Sequence, residues 1–291
     1  MQSPKGKLMV IGGSVDKGSF SEDINDLPKK LKFFEQGILN RIITESSLRQ
    51  DSMIEIITTA SSIPEEVGME YVTAFQNLNV PNVGVMHIKT REEANSIDYV
   101  SRLKKANIVM FTGGDQLRIS SIIGGTEFHR LLLQKYDQEE FLISGTSAGA
   151  AASSNNMIYQ GSSQGALLKG EVKITGGLGF INNVIIDTHF VQRGRIGRLM
   201  YACASNPINL GIGLGEDTGL LIKEGRTMEA VGSGLVILVD GTGMRDTNLS
   251  EVEMGAPVSI EHLVVHVMAF GDVFDLNEKK LRISHPKLTV D

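Results

Sequence analysis

Residues 145–149, Gly-Thr-Ser-Ala-Gly, constrain the fold of this chain more than any other stretch. They follow the apolar run 141–143 and precede the small-residue run 150–154. This order predicts a strand, a turn too tight for large side chains, and a helix. The serine of such a G-x-S-x-G turn has its hydroxyl at an exposed apex, and the helix N-terminus behind it offers free N–H groups to a developing oxyanion. A glycine-rich connection that merely carries a serine has the same pattern. The presence of catalytic partners for Ser147 must therefore decide whether it is a nucleophile.

Composition narrows the class of protein. The chain has 291 residues, of which 41% are hydrophobic and 21% charged, which is ample apolar content for a buried core. We expect a single domain over residues 1–291, since no linker or repeat interrupts the chain. The formal net charge of −6 argues against a nucleic-acid partner, because such binding needs a basic surface.

The single cysteine bears on compartment and metal binding. Cys203 excludes an intramolecular disulfide, provides no cluster for zinc, and lies in a helix-like apolar run that predicts a packed thiol. No set of His, Asp and Glu has ligand spacing on one element, so neither a metal nor another cofactor is expected. No signal-peptide core or membrane-length span is present, which predicts a cytoplasmic protein without a membrane partner.

Short apolar runs alternate with amphipathic segments over the first two-thirds of the chain. Continuous apolar strands separated by helices predict an α/β fold with a mainly parallel sheet covered on both faces, and a ligand site at the carboxyl ends of the strands. Closely spaced runs after about Asn183 predict extra strands of the same sheet and an antiparallel flap. The early runs are 8–11, 54–58, 83–86, 108–111 and 141–143, and the later ones 184–186, 219–222, 234–239 and 263–267.

A serine nucleophile needs a base to accept its proton. Of the six histidines, His189 is favoured because it ends the predicted strand 184–188 and precedes the polar loop 192–195. A carboxylate should orient the imidazole, and three remain candidates at this stage: Asp187, Glu216 and Asp217. An acid after the histidine excludes the α/β-hydrolase fold, in which the acid precedes it.

Several polar blocks together resemble the cyanophycinase family, serine-type exopeptidases grouped with the α-aspartyl dipeptidases. The order and spacing of the blocks make the resemblance specific, and it spans roughly residues 8 to 240. The blocks are residues 10–14, 59–62, 111–116, 145–150, 187–190, 192–198 and 213–218.

The resemblance implies a flavodoxin-like, class I glutaminase-like α/β/α fold and a homodimer. It implies Ser147 as nucleophile, His189 as general base and Glu216 as the acid, with the N–H groups of Gly114 and Ala148 as the oxyanion hole. Asp187 is then left as a residue of the substrate pocket.

The substrate follows from the arginine-rich block after His189. Members of the family cut either cyanophycin, an aspartate polymer carrying arginine on its β-carboxyl groups, or short aspartyl peptides. Arginine forks bind carboxylates through paired hydrogen bonds, so the block favours cyanophycin and the release of β-Asp-Arg. The substrate-binding residues expected are Gln116, Asp187, Gln192, Arg193, Arg195 and Arg198.

Three alternatives stay open. The arginines of the block can be a solvated helix start that forms surface ion pairs. The substrate can be an α-aspartyl or isoaspartyl dipeptide. A non-enzymatic nucleotide or phosphate binder would use the glycines at 12–13 and 113–114, although the chain lacks both a Walker lysine and a G-x-G-x-x-G fingerprint.

Overall fold

The computed structural model describes residues 3–18 and 33–285. A nine-stranded sheet lies at its centre, parallel in one half and antiparallel in the other. The parallel half, in spatial order, is β1 (Lys7–Ile11), β5 (Leu142–Thr146), β4 (Ile108–Phe111), β2 (Ile54–Ile57) and β3 (Val83–Met86). The antiparallel half continues from β1 with β10 (Thr218–Lys223), β11 (Thr227–Gly232), β16 (Val273–Asp275) and β17 (Lys280–Arg282).

Helices cover both faces of this sheet. Alternation along β1 sends Leu8 and Val10 into one core and Met9 and Ile11 into the other, because successive side chains of a strand point to opposite faces. The helices against the first core are α4 (Ile97–Lys105), α5 (Gln116–Ile123), α6 (Glu127–Gln138) and α7 (Ala148–Ala151), and those against the second are α2 (Ile38–Glu45) and α3 (Pro64–Asn77). The predicted three-layer α/β/α fold is confirmed.

The remaining helical segments are short connections or belong to the second half of the chain. They are α1 (Phe33–Gln36), α8 (Ile196–Ser205) and the 3₁₀ turns Arg49–Asp51 and Glu93–Asn95. No helix of the described residues is long and apolar enough to cross a membrane.

A second sheet corrects one expectation from the sequence. Of the later apolar runs, only 219–222 joins the central sheet as part of β10, whereas the other three lie in a separate four-stranded sheet. The physical reason is α8, which packs on this second sheet and builds a third apolar cluster with it. The spatial order is β15 (Val264–Met268), β12 (Val236–Asp240), β9 (Leu210–Leu214) and β8 (Val184–Asp187).

Two small antiparallel pairs complete the strands. A hairpin joins β6 (Asn156–Gln160) to β7 (Lys173–Gly176), and β13 (Asp246–Thr247) pairs with β14 (Ile260–Glu261).

Cys203 lies in the third cluster. Its thiol is buried and donates to the Val239 carbonyl at 3.4 Å, and burial raises its pKa to about 12. The prediction of a packed core thiol is confirmed.

Candidate active site

The carboxyl end of β1 connects the three loops of the candidate site. The consecutive carbonyls of residues 11, 12 and 13 accept N–H groups from Ser147 at 2.9 Å, His189 at 2.7 Å and Asp217 at 2.9 Å. Each loop therefore has its backbone tied to one strand, although the loops are far apart along the chain.

Ser147 occupies the predicted turn between β5 and α7. Its backbone has φ 52° and ψ −106°, a conformation that residues other than glycine rarely adopt. Glycine is required on both sides by close approach: a Cβ at Gly145 would lie 2.4 Å from the carbonyl carbon of Gly149, and one at Gly149 would lie 2.6 Å from the Phe111 carbonyl oxygen. The strand, turn and helix are confirmed, although α7 is only four residues long.

A chain of two hydrogen bonds runs from Ser147 through His189 to Glu216. The Ser147 Oγ lies 3.0 Å from His189 Nε2, and His189 Nδ1 lies 2.7 Å from Glu216 Oε1. The imidazole is largely enclosed, with 14% of its side-chain surface exposed, whereas the Glu216 side chain is 35% exposed. A serine hydroxyl, an imidazole and a carboxylate in this order have the geometry of nucleophile, base and orienting acid.

The other two candidate carboxylates are engaged elsewhere. Asp187 bonds the guanidinium groups of Arg195 and Arg198. The Asp217 carboxylate accepts the Asp16 N–H at 3.1 Å and the Ser233 hydroxyl at 2.7 Å. Among the three acids left open by the sequence, Glu216 is the one that contacts the imidazole.

Backbone geometry holds the imidazole in place. His189 itself has φ 49°, in the left-handed region. Its ring lies so close to Gly13 that a Cβ there would be 2.3 Å from His189 Cε1. Any larger residue at position 13 must displace the ring.

Two free N–H groups lie beside Ser147. In the described part of the chain, neither the Gly114 N–H nor the Ala148 N–H donates to a protein acceptor. Ala148 is the first residue of α7, where a helix leaves its N–H groups unpaired. The turn that carries Gly114 reaches the serine through Gly113, at which an added Cβ would lie 3.4 Å from Ser147 Cβ.

The arginines of the block divide into buried and exposed members. Arg198 is 7% exposed and donates through Nε to Asp187 Oδ2 at 2.5 Å, through Nη2 to Asp187 Oδ1, and through Nη1 to the Gly161 carbonyl at 3.0 Å. All three of its nitrogens therefore have protein acceptors. Asp187, at 2% exposure, is likewise enclosed.

Arg195 is intermediate between these two states. One of its nitrogens, Nη1, donates to the Thr188 carbonyl at 2.7 Å and to Asp187 Oδ1 at 3.3 Å. Burial lowers its pKa, with Asp187 opposing this effect and the nearby charges of Arg198 and Arg193 adding to it. Its other nitrogens have no partner in the described residues.

The remaining predicted substrate contacts are nearer the surface. Arg193 is exposed, and within residues 3–18 and 33–285 its guanidinium has no hydrogen-bond partner. Gln116 donates its amide to the Ile158 carbonyl at 2.9 Å, and the Gln192 carbonyl oxygen accepts the Glu216 N–H at 3.2 Å. Within the described residues, the guanidinium of Arg193 is thus wholly available to a ligand, whereas that of Arg195 is available only in part.

Sequence reasoning missed the β6–β7 hairpin as a neighbour of the site. Besides the Gly161 carbonyl, Ser163 of its loop contacts the block, donating its hydroxyl to the Arg193 carbonyl at 2.6 Å. The signal was present in the polar, glycine-containing run 161–165. No group of three or more His, Cys, Asp or Glu side chains among the described residues is placed to hold a metal ion.

Comparison with known proteins places this chain in a family. The model of peptidase family S51 matches residues 35–230. A cyanophycinase of Nostoc sp. is 32% identical over 278 residues, covering 96% of this chain and 88% of its own length. A cyanophycinase of Geminocystis herdmanii is 34% identical over 225 residues, covering 77% of this chain and 83% of its own. A peptidase from an acI-B1 actinobacterium has the same fold, with a TM-score of 0.66 at 18% identity, covering 94% of this chain and 98% of its own.

The fold and these relatives define the protein as a peptidase. The chain belongs to peptidase family S51, and the resemblance to the cyanophycinase family is confirmed. Family membership removes the non-enzymatic phosphate binder, and the structure gives the glycines at positions 12 and 13 another task. The Gly12 carbonyl accepts the His189 N–H, and the Gly13 carbonyl accepts the Asp217 N–H while Gly13 packs closely against the His189 ring.

Proposed function

We propose that this protein is a serine-type exopeptidase that hydrolyses cyanophycin to β-Asp-Arg dipeptides through an acyl-enzyme. The observation that carries the proposal is the hydrogen-bond chain Ser147–His189–Glu216, at 3.0 Å and 2.7 Å, beside two unpaired N–H groups. The cyanophycinases similar to this chain support the choice of substrate.

The proposed reaction has two halves, acylation of Ser147 and hydrolysis of the acyl-enzyme, and both use the same groups. His189 Nε2 takes the proton of Ser147 Oγ as that oxygen attacks the aspartyl carbonyl, while Glu216 accepts the Nδ1–H and stabilises the imidazolium. The oxyanion accepts the N–H groups of Gly114 and Ala148. His189 then protonates the leaving amine, and a water deprotonated by the same imidazole hydrolyses the ester.

Substrate positioning falls to the exposed part of the arginine block. We assign carboxylate binding to Arg193 and to the free nitrogens of Arg195, since each nitrogen of the buried Arg198 already donates to a protein acceptor. Arg198 and Asp187 act as positioning residues: Asp187 Oδ1 accepts the Thr188 N–H at 2.8 Å, next to His189. Gln116 and Gln192 remain proposed contacts at the margin of the site.

The proposal is tested by replacing Ser147 with alanine and measuring the release of β-Asp-Arg from purified cyanophycin by mass spectrometry. Loss of the nucleophile should lower kcat by several orders of magnitude, about 10⁴-fold or more. Ser120→Ala is the matched control, because among the described residues its hydroxyl bonds to no group beyond the Leu117 carbonyl of the same helix, α5. Near-normal release by Ser147→Ala would overturn the assignment.

Parallel assays separate the substrate alternatives. The same enzyme is given cyanophycin, α-aspartyl dipeptides and isoaspartyl dipeptides. Faster turnover of a dipeptide than of the polymer would leave the serine mechanism intact and move the activity to the dipeptidase alternative.

We also propose a cytoplasmic location, which cell fractionation tests.

A further inference from the structure

The loop between β6 and β7, residues 161–172, is fixed against the arginine block and α8. Besides its contacts with the block described above, the Gly170 N–H donates to the Tyr201 hydroxyl of α8 at 3.1 Å. The Gln116 amide ties β6 to the start of α5, just after the turn that carries Gly114. This hairpin loop therefore has a defined position beside the candidate site.

Glu171 is the acidic residue of the hairpin loop, and it lies beside the serines of the same loop. A Cβ added at Gly165 would lie 3.3 Å from Ser162 Oγ and 3.4 Å from Glu171 Cγ, so both side chains border Gly165. The next residue, Ser163, is the one that donates to the Arg193 carbonyl at 2.6 Å. The Glu171 side chain is exposed, and its carboxylate has no hydrogen-bond or ion-pair partner among the described residues.

The other carboxylates around the site are engaged. Asp187, Glu216 and Asp217 have the partners described above, and Asp115 caps α5 by accepting the Leu117 N–H at 2.8 Å. Within the described residues, Glu171 thus keeps an uncompensated negative charge close to the arginine block. The hairpin loop and the block present two unpaired charges of opposite sign, Glu171 and Arg193, which are linked through Ser163.

Two unpaired charges of opposite sign fit a ligand that carries both. In β-Asp-Arg the arginine is at the carboxyl end, so it has a free carboxylate and a guanidinium at the two ends of one extended side chain. The guanidinium would be repelled by the arginines that bind the carboxylate, because like charges repel. It needs a carboxylate of its own, with which it can form paired hydrogen bonds.

We propose that Arg193 and Glu171 together form a subsite for the arginine that each unit of cyanophycin carries. Arg193 binds the carboxylate of that arginine, and Glu171 binds its guanidinium. Ser163 is a positioning residue, since its bond to the Arg193 carbonyl fixes the backbone from which that guanidinium extends. The inference rests on the proposed function for its substrate, and it adds the group that selects arginine over an uncharged side chain.

Calorimetric titration with β-Asp-Arg and β-Asp-citrulline tests the guanidinium contact, because citrulline has the shape of arginine without its charge. Both dipeptides are titrated into Ser147→Ala, in which we expect them to stay intact. This protein should bind β-Asp-Arg about tenfold more tightly than β-Asp-citrulline, and adding Glu171→Gln should abolish the preference. A preference that is absent before the second substitution, or that survives it, would overturn the proposal.

Two further substitutions separate a contact from the general field of the hairpin. Lys173→Gln removes a charge two residues further along, and Glu140→Gln removes one just before β5, at the opposite end of the sheet. Both should keep the preference for β-Asp-Arg. Changes of equal size and opposite sign in Glu171→Gln and Lys173→Gln would indicate the general field and overturn the contact.

The role of Ser163 is tested with the same two dipeptides. Ser163→Ala should weaken the binding of both alike, since both carry the carboxylate, and Ser163→Thr should restore it because the hydroxyl is kept. When Arg193→Ala is already present, Ser163→Ala should have no further effect. Unchanged affinity in Ser163→Ala, or a full additional loss in the double variant, would overturn the positioning role.

These binding measurements stand apart from the test of the proposed reaction. An arginine preference without any release of β-Asp-Arg from cyanophycin would refute the proposed function and leave the subsite as a site for arginyl dipeptides. Normal release without the preference would refute the subsite and leave the proposed function.

Discussion

Arg198 contacts both carboxylate oxygens of Asp187 at a depth where the two side chains are 8% and 2% exposed. One residue, Thr188, separates Asp187 from His189, and Asp187 accepts its backbone N–H. We therefore propose that this ion pair supports the loop of the imidazole.

Removing one partner of this buried pair should strongly destabilise the protein. Arg198→Met leaves a buried carboxylate with only Arg195 nearby, and we expect a loss of about 3 kcal/mol in the free energy of unfolding. Asp187→Asn/Arg198→Met should be less destabilised than the sum of the single variants. Urea titration of the four proteins gives the coupling energy. The exposed pair Arg130–Glu127 is the control, and we expect it to show little or no coupling because solvent screens it. Equal coupling in both pairs would refute the prediction.

Arg193 should act on substrate binding alone. Its guanidinium is exposed and without a partner in the described residues, so Arg193→Ala removes a charged donor without leaving a buried group unpaired. We expect KM for cyanophycin to rise about tenfold with kcat little changed. Steady-state kinetics measures both, with Arg226→Ala as a surface control. An unchanged KM would exclude Arg193 from the carboxylate contact.

Gly13→Ala should damage the site through the position of the imidazole. The new Cβ would lie 2.3 Å from His189 Cε1, and a displacement of about 1 Å in a catalytic group costs about 100-fold in rate. Gly179→Ala is the matched control. It places alanine at φ 72° with no atom within 4 Å of the new Cβ, so it carries the backbone strain without the contact. If the two variants lost equal activity, strain and not displacement would be the cause.

Glu45 lies at the end of the sheet opposite the candidate site, and it should make the stability of the protein depend on pH. It lies between Lys7, at 2.8 Å, and Lys223, at 3.1 Å. Burial would raise the pKa of Glu45, but the hydrogen bonds and charges of these two lysines outweigh it and hold the pKa below its usual value of 4.5. The ionised carboxylate therefore stabilises the fold above that value, and the contribution is lost as the pH falls through the lowered pKa.

Glu45→Gln should then lower the free energy of unfolding at pH 7 by about 1 kcal/mol, because solvent partly screens these charges. The difference from wild type should shrink as the pH falls below 4.5 and vanish once Glu45 is protonated. Thermal unfolding over this pH range measures it. Glu224→Gln, at the exposed pair with Arg226, should show little difference at any pH, and a gap that widened on acidification would contradict the sign.

Local patterns predicted the parallel half of the sheet and the serine turn. The apolar run 108–111 coincides with β4, and the glycines around Ser147 stand where backbones meet closely. Such features depend on residues adjacent in the sequence, which is why a pattern can identify them. The local pattern could not identify the acid of the site, because Asp187, Glu216 and Asp217 all follow apolar runs. Only the folded chain brings one of them to the imidazole.

The neighbours of the later strands and the burial of Arg198 required the structure. An apolar run shows that a strand is buried but not which strand lies beside it, so the second sheet was taken for part of the first. Within the arginine block, α8 begins at Ile196 and turns Arg198 inward with Leu199, whereas Arg193 precedes the helix. A run of like residues does not reveal where a helix starts, and that start decides which arginine meets solvent.

The three carbonyls of residues 11–13 make the candidate site a late product of folding. The loops that they hold begin more than 130 residues further along the chain, so closing them costs the entropy of long loops. A refolding chain can form the serine turn early, from neighbouring residues, yet it cannot align Ser147 with His189 until β1 has entered the sheet. During refolding, enzymatic activity should therefore recover later than the circular-dichroism signal of the helices. The recovery of activity then reports the entry of β1 into the sheet.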